Sequence, residues 1–463
     1  MLLSEYNKTT YGFEMSALSE EKPTEYVFAG IGLENFKVHE KVKALRFRPI
    51  TLLIGPNSSG KTALFQPLLL LKQSFMSKSQ SIEPLALNGD FVNLGSFADI
   101  VLAHDKDKTV KIECIIEKAD VIDKRLLFKV AISYDKQNEK MFINCLSIEN
   151  ADEKVGLSIT SEKIDVFNRE GVITRIDLPP NSSLNTMGTF LMAIGLFALM
   201  NESGKQPIHV NFVNKELTEK DVEALGRVST MFMKFTETLN NLNYVGPLRE
   251  YPQRYYKTTG ERFLHVGKRG QRAVEIICND NLAGAKAVGC ELARWLKELG
   301  VAQSIRTKKI GEGLYSLILK TPVRGTEVNI ADMGFGVSQI VPIIVETCIL
   351  KNNQTAILEQ PEIHLHPLGQ MIMADLIIQS ANQGRRYIIE SHSEHLLLRL
   401  QRRIAEGKIS SDHVAVYYFK PEENQVSIRE LKLAKNGQFE DLPPGFMDER
   451  LEEAYNMATA SDE

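Results

Sequence analysis

The stretch ITLLIGPNSSGKT, residues 50–62, decides the fold of this chain. An apolar run ends in a glycine loop, and a helical pattern, TALFQPLLLLKQSFMSK, follows from Thr62. A strand, a glycine-rich loop and a helix in this order open a P-loop fold. Because the loop GPNSSGKT matches the pattern G-x-x-x-x-G-K-[ST] without deviation, the sequence predicts an α/β protein with a nucleotide site.

The residue types in this loop explain the chemistry that it predicts. Glycines let the backbone wrap closely, so that consecutive N–H groups point at phosphates. Lys61 is expected to reach the β- and γ-phosphates of ATP, and the Thr62 hydroxyl is expected to ligate Mg²⁺. The helix that begins here adds its positive end. The predicted nucleotide-binding residues are Gly55, Pro56, Asn57, Ser58, Ser59, Gly60, Lys61, Thr62 and Ala63.

Composition excludes several classes of protein. The chain has 463 residues, of which 43% are hydrophobic and 25% charged, which is enough for two or three structural units. Its net charge is −4, so any contact with nucleic acid must come from a local patch. Five scattered cysteines favour neither a disulfide framework nor a zinc ribbon, and the reduced cytoplasm is the expected compartment.

One uncharged stretch, Thr186–Met200, raises the question of a membrane segment. It is only fifteen residues long, whereas a spanning helix needs about 20 apolar residues. We therefore expect a buried helix here and no membrane partner.

A second set of motifs lies about 300 residues beyond the loop, a wider separation than in compact GTPases. They are ADMGFGVSQ (331–339), ILEQPEIHLHP (357–367) and YIIESHSEHLLLRL (387–400). Together with IGLENFKVHE (31–40) and the loop, they resemble the ABC-type AAA ATPases. More narrowly they are similar to the RecF and overcoming-lysogenization-defect group, and especially to stand-alone ATPase components of bacterial anti-phage systems such as PARIS.

The resemblance implies a fold and an assembly. The fold would be a P-loop NTPase of the ABC-ATPase type, with a mixed central sheet, an inserted antiparallel β subdomain and a helical insertion. ATP and Mg²⁺ would lie between two heads, one giving the phosphate loop and the other a signature segment. The expected signature residues are Asp332, Gly334, Gly336 and Ser338. A glycine-rich turn before a helix is the alternative interpretation of that segment.

The metal and catalytic residues are expected in the second and third motifs. Glu359 takes the place of the carboxylate that holds Mg²⁺ together with Thr62 in this family, and His392 matches the family's switch histidine at the γ-phosphate. Gln360 stands where active ABC-type sites have a glutamate that polarises the attacking water. A glutamine positions water but cannot accept its proton, so we expect slow hydrolysis, with Glu362 as the alternative base.

These patterns divide the chain into six predicted segments. Short alternating runs separated by turn residues indicate the antiparallel strands, and longer apolar patterns indicate helices over 184–243 and 281–299, with Trp295 in the core. Near the C-terminus, GQMIMADLIIQSA and EHLLLRLQRRIAEG indicate helices, and HVAVYYFK and QVSIREL indicate closing strands. The segments are a flexible lead-in at 1–24, the N-terminal half of the ATPase domain at 25–107, the antiparallel β subdomain at 108–180, the helical insertion at 181–325, the C-terminal half of the ATPase domain at 326–432 and a tail at 433–463.

Residues 247–272 concentrate positive and aromatic side chains in a chain that is negative overall. Such a mixture suits nucleic acid, through phosphate contacts and base stacking. It suits equally an acidic protein or a subunit interface, and a solvated loop with ordinary charges is the third interpretation. The residues are Arg249, Arg254, Lys257, Arg262, Lys268, Arg269 and Arg272, interleaved with Tyr251, Tyr255, Tyr256 and Phe263.

The sequence leaves three functions open. The resemblance implies a homodimer, or a hexamer built from dimers, that senses a phage protein and retains a separate toxic effector, such as a TOPRIM nuclease, until it is triggered. One alternative is a RecF-like repair ATPase that clamps DNA through residues 247–272. The other is a nucleotide-locked scaffold without meaningful hydrolysis, for which Gln360 is the evidence.

Overall fold

The computed structural model describes residues 25–76, 84–119, 125–151, 155–160, 163–168, 171–177, 219–423 and 425–443, together with Phe446. The predicted lead-in at 1–24 and the apolar stretch Thr186–Met200 lie outside these residues. Within the described ranges, no helix is both long enough and apolar enough to cross a bilayer. The division of the chain into six segments remains a prediction.

The described elements alternate between strands and helices in the C-terminal half of the chain. The strands are β1 (Tyr26–Phe36), β2 (His39–Arg46), β3 (Ile50–Ile54), β4 (Val110–Lys118), β5 (Arg125–Asp135), β6 (Lys140–Asn150), β7 (Val155–Thr160), β8 (Lys163–Asn168), β9 (Gly171–Asp177), β10 (Leu242–Val245), β11 (Tyr256–Lys257), β12 (Ser304–Gly311), β13 (Leu314–Lys320), β14 (Glu327–Asn329), β15 (Thr355–Glu359), β16 (Arg386–Glu390), β17 (Val414–Pro421) and β18 (Val426–Glu430). The helices are α1 (Lys61–Met76), α2 (Phe97–Ile100), α3 (Glu219–Asn240), α4 (Ala273–Leu282), α5 (Ala287–Glu298), α6 (Phe335–Ile349), α7 (Pro367–Ala381) and α8 (Glu394–Ala405).

The central sheet is mixed, as predicted. Its strand order is β10-β15-β16-β3-β17-β18, in which five neighbouring strands run parallel and β18 is antiparallel. Strands β3 and β15 are buried along their whole length, which suits parallel strands covered on both faces. The P-loop strand β3 lies between β16 and β17, so both of its neighbours come from the C-terminal part of the chain. The predicted α/β fold with a P-loop is confirmed.

The predicted antiparallel strands form one sheet with the first two strands of the chain. The order is β2-β1-β4-β5-β6-β7-β8-β9, and each neighbouring pair is antiparallel. Along β4 and β5 every second residue is buried, because one face packs on the core and the other is more exposed.

Packing divides the core at the central sheet. Leu53 on β3 packs with α1, α3 and the antiparallel sheet, whereas its neighbours Leu52 and Ile54 pack with α4 to α8. This alternation follows from the strand period of two. Trp295 on α5 is 4% exposed and belongs to the second core, as expected from the sequence.

The segment predicted as a helical insertion, 181–325, contains more strand than we expected. In the described part of the predicted helix over 184–243, α3 ends at Asn240. The residues that follow belong to strand β10, which pairs parallel with β15. A short apolar run such as LNYV fits a buried strand and a helix end equally well from periodicity alone. The helix expected over 281–299 is interrupted at residues 283–286, where Gly284 and Lys286 have positive φ angles of 75° and 52°. Strands β11 to β14 form a small separate sheet.

Candidate nucleotide site

The site lies at the carboxyl edge of the parallel strands, where ligands bind in α/β sheets. Four segments begin at this edge: residues 246–249 after β10, 360–364 after β15, 391–392 after β16 and 55–62 after β3. Glu359 and Glu390 end adjacent strands and are partners in register. The topology therefore brings the P-loop and the motifs at 357–367 and 387–400 together from distant parts of the sequence.

The P-loop adopts its shape through its glycines. Gly55 and Gly60 have φ angles of 146° and 83°, which disfavour L side chains. A Cβ atom on Gly55 would collide with the carbonyl oxygen of Phe419 on β17. Lys61 is buried, and its Nζ donates to the carbonyls of Gly55 and Pro56 at 3.0 and 2.6 Å. Those bonds hold the ammonium inside the loop, within reach of an incoming phosphate.

The loop rim and its base differ in exposure. Pro56, Asn57 and Ser58 are exposed, whereas Ser59 and Ala63 are buried. Burial lowers the pKa of Lys61, and the charge of Glu390 opposes that shift.

His39 supports the loop from the β1–β2 hairpin. Its ring is 2% exposed, and Nε2 lies 2.9 Å from the carbonyl oxygen of Gly60. Burial lowers the pKa of His39, so the neutral ring donates to that carbonyl. Sequence reasoning assigned no role to this residue, although it stands in the motif IGLENFKVHE, because its contact with the loop depends on how the hairpin packs.

Thr62 meets a carboxylate other than the one we expected. Its Oγ1 donates to Oε2 of Glu390 at 2.8 Å, across 328 residues of chain. Glu359, the predicted metal residue, accepts a hydrogen bond from the Tyr244 hydroxyl at 2.6 Å. Sequence reasoning did not include Glu390 among the site residues. Its pattern, a carboxylate at the end of an apolar strand, is the same as the pattern that pointed to Glu359.

Three buried glutamates crowd this edge of the sheet. Burial raises the pKa of Glu359 to about 7, and Glu390 adds to the shift. Burial also raises the pKa of Glu390, which Thr62 and Lys61 oppose, and that of Glu362, which Ser391 opposes. A bound cation would relieve this mutual repulsion of carboxylates.

The donor set fits Mg²⁺. Thr62, Glu359 and Glu390 offer oxygen atoms only, which a hard cation prefers. Among the described residues, no group of three or more His, Cys, Asp or Glu side chains is arranged to hold a metal alone. Mg²⁺ usually keeps several waters and uses one or two carboxylates plus substrate phosphates, so a partial protein shell is what such a site needs.

Glu362 and His392 are held side by side. Oε1 of Glu362 accepts from Ser391 Oγ at 2.7 Å and from the His392 amide at 2.8 Å. Oε2 of Glu362 is buried and has no hydrogen-bond partner. The pKa of His392 is lowered by partial burial and by Lys61, so the ring is neutral at pH 7. An unpartnered carboxylate oxygen at this edge of the sheet is a candidate proton acceptor.

Gln360 follows β15 in a strained conformation. Its φ angle is 44°, in the left-handed region, and its amide donates to the carbonyl of Glu390 at 2.7 Å. The residue is half-buried. The chain thus turns sharply between Glu359 and Glu362, which removes the regular strand geometry that would place Gln360 and Glu362 on one face.

The predicted signature segment forms a turn and the start of α6. Gly334 precedes the helix, and the Ser338 hydroxyl donates within the helix to the carbonyl of Phe335 at 2.7 Å. A Cβ atom on Gly336 would lie 2.6 Å from the carbonyl oxygen of His364, so the helix start sits against the turn after β15. Contact with a nucleotide on a second copy remains a prediction for this segment.

The basic segment 247–272 divides into internal and exposed charges. Arg249 is 3% exposed and donates to main-chain carbonyls at the end of β15. Arg254 forms a two-bond ion pair with Asp332 of the signature segment at 3.0 and 2.5 Å, and Arg272 contacts His265 and the ring of Phe263. Lys257, Arg262 and Arg269 are exposed. The patch available to a partner is thus smaller than the sequence suggested.

Residues 183–397, somewhat less than half of the chain, match the model of the family described as AAA ATPase domain. The match supports an ATPase of the AAA type. It includes the motifs at 331–339 and 357–367 and most of the motif at 387–400, and it begins beyond the P-loop. No curated protein matches the chain in a sequence comparison.

Solved structures similar to this chain include heads of SMC proteins. One is described as the SMC head bound to the C-winged helix domain of ScpA; it is 11% identical, with 88% of this chain and 98% of that chain covered and a TM-score of 0.47. The SMC head domain from Thermotoga maritima is 9% identical, with 88% and 100% covered and a TM-score of 0.40. An Smc head with an extended coiled coil, from Pyrococcus furiosus, is 11% identical, with 95% and 100% covered and a TM-score of 0.41.

Proposed function

We propose that the protein is an ABC-type ATPase that binds ATP and Mg²⁺ between two copies of itself and hydrolyses the nucleotide slowly. The observation that carries this proposal is the 2.8 Å hydrogen bond between Thr62 of the P-loop and Glu390, with Glu359 in register on the next strand. A glycine turn without a nucleotide role would not need a buried carboxylate from the neighbouring strand at its threonine, with a second one on the strand beyond.

In this mechanism Lys61 exchanges its bonds to the loop carbonyls for bonds to the β- and γ-phosphates. Thr62, Glu359 and Glu390 would hold Mg²⁺, which would supply positive charge to the phosphate oxygens. Gln360 orients the attacking water. The water oxygen bonds to the γ-phosphorus as the bond to the bridging oxygen of ADP breaks, and the water's proton passes to Glu362.

We further propose that the ATP-bound dimer, or a hexamer of such dimers, is the functional state. Slow hydrolysis prolongs that state, which suits a sensor that retains a separate toxic effector until a phage protein triggers release. The exposed Lys257 and Arg262 offer a surface to an acidic partner. They also favour the second candidate, a RecF-like ATPase that clamps DNA, since clustered cations bind phosphates.

The deciding experiment is steady-state ATP turnover of the purified protein beside the variant Lys61→Ala. We expect slow turnover that disappears in the variant, and a shift from monomer to dimer with ATP that the variant lacks. If the two proteins are indistinguishable while the wild type still binds ATP, hydrolysis is excluded and the protein is a scaffold.

Two further measurements separate the biological roles. Phage plating on cells with wild-type protein and its genomic neighbours should fall relative to cells with Lys61→Ala if the role is defence. Turnover that rises on addition of DNA, and rises less with increasing salt, would instead favour the RecF-like role.

A further inference from the structure

We propose that Arg249 is a positioning residue, which holds the turn after β15 in the conformation that hydrolysis requires. The inference rests on the proposed ATPase function and concerns a residue that no motif points to. Arg249 touches neither nucleotide nor water in this role; it acts through the backbone of Glu359 and Gln360.

The turn needs an external support because its backbone is strained. A φ angle of 44° at a glutamine persists only where the surroundings over-determine it. The hydrogen bonds within the turn run from the amide of Ile363 to the Gln360 carbonyl at 3.2 Å and from Leu365 to Glu362 at 3.0 Å. These bonds fix the later residues and use the Gln360 carbonyl once, and they leave the Glu359 carbonyl to be held from outside the turn.

Arg249 supplies that support. One terminal nitrogen of its guanidinium lies 2.7 Å from the carbonyl oxygen of Glu359 and 3.2 Å from that of Gln360, and the other lies 3.2 Å from the latter. The planar guanidinium thus bridges two successive carbonyls at the bend through two nitrogens whose relative geometry is fixed. The same bend places Glu362 where it accepts from Ser391 and from the main-chain amide of His392, at the end of β16.

Arg249 also remains charged in a buried place. Burial lowers the pKa of Arg249 only to about 10, because Glu362 and Glu359 oppose the shift, so the group is positive at pH 7. A buried charge is costly unless it is paired. The carboxylates of Glu359 and Glu362 provide this pairing for Arg249. Arg262 and Arg269 are exposed and need no such partner.

The backbone of Arg249 is anchored independently of its side chain. The preceding strand β10 is held by Lys72, whose Nζ donates to the carbonyls of Asn240 and Leu242 at 2.9 and 2.6 Å. Glu346 on α6 accepts from Asn243 on β10 at 2.6 Å. Removing the guanidinium should therefore release the turn and leave the edge of the sheet in place.

The test uses Arg249→Met, which keeps a buried side chain of similar length, and Arg249→Lys, which keeps the charge and part of the donation. Arg269→Met is the matched control, an exposed arginine of the same segment. We expect Arg249→Met to lower kcat for ATP about 100-fold while KM changes less than about threefold, because a small misplacement near the chemistry has that effect. The kcat of Arg249→Lys should be about tenfold higher than that of Arg249→Met, and the kcat of the control should match the wild type.

A second readout does not depend on turnover. Hydrogen–deuterium exchange at the Ile363 and Leu365 amides should speed up in Arg249→Met and not in Arg269→Met. Unchanged exchange, or a kcat within twofold of the wild type, would overturn the proposal. Loss of turnover with KM and thermal stability altered together would make Arg249 a general structural residue. If the wild type and Lys61→Ala show equal turnover, the proposed hydrolysis fails while exchange still decides the role of Arg249.

Discussion

The two turns that build the site, one after β3 and one after β15, solve the same geometric problem in different ways. Both must bend the chain sharply at the carboxyl end of a parallel strand. The P-loop does so with glycines at two of its three positive-φ positions, Gly55 and Gly60, and with Ser58 at the third, where φ is 59°. The turn after β15 places Gln360 and His364 there, with φ angles of 44° and 65°.

The difference lies in what holds each turn. The P-loop carries its own support, since Lys61 bonds the carbonyls of Gly55 and Pro56. The second turn depends on a side chain from another strand, because Arg249 bonds the carbonyls of Glu359 and Gln360. The lysine that holds the first turn therefore lies within its own motif, whereas Arg249, which holds the second, lies outside the motif at 357–367.

The largest effect should come from Gly55→Ala, which breaks the first turn. The new Cβ collides with the Phe419 carbonyl in a strained conformation, so we expect a loss of about 2–4 kcal/mol of stability. ATP binding should be lost with it, as measured by thermal unfolding with and without ATP.

Gly260→Ala is the matched control for that variant. Gly260 also has a positive φ, 77°, but nothing lies within 4 Å of its ideal Cβ. Gly260→Ala should lower the free energy of unfolding by only about 1 kcal/mol and leave ATP binding intact. Equal losses in the two variants would show that backbone strain alone, and not the collision, governs the P-loop.

Gln360→Glu should sharpen the comparison by adding a base, besides Glu362, at the position that orients the attacking water. We expect kcat to rise about 100-fold, since general-base assistance contributes at least that factor. The variant should also be less stable without Mg²⁺, because a fourth carboxylate joins Glu359, Glu362 and Glu390. Brisk wild-type turnover with no gain in the variant would contradict slow hydrolysis by Gln360.

The smallest effect should come from Gln360→Gly, which relieves the strain at the second turn. Glycine adopts positive φ without a clash, so we expect a gain of about 0.5–1 kcal/mol in stability. Turnover should fall, because the amide that orients water is gone. Glu139→Gly is the control: its φ is 51° in an exposed hairpin, so it should gain similar stability with unchanged turnover. A loss of stability in Gln360→Gly alone would mean that its side chain, and not strain, matters there.

The fold was readable from the sequence because its decisive parts are local. An apolar run followed by GPNSSGKT predicts strand, loop and helix together, and TAILE followed by a turn predicts a buried strand that ends in a carboxylate. The helices α7 and α8 and the closing strands β17 and β18 lie where their patterns indicated.

The rest of the site depends on contacts between distant segments. Glu390 reaches Thr62 because β16 lies beside β3, and strand order is not written in either motif. The sequence analysis placed Arg249 in the basic segment 247–272, because it predicted a helix up to residue 243 and not the strand β10. Once β10 is a strand of the parallel sheet, the residues that follow it must lie at the site edge.

The strand order has a consequence for folding during synthesis on the ribosome. Thr62 and Glu390 are separated by 328 residues, and β3 gains neighbours only when β16 and β17 have been made. At typical synthesis rates that interval is roughly 20–60 s. During it, an apolar strand and a finished nucleotide loop leave the ribosome without the sheet that buries them. A chaperone that shelters nascent chains would therefore matter more for the yield of this protein than its final stability does.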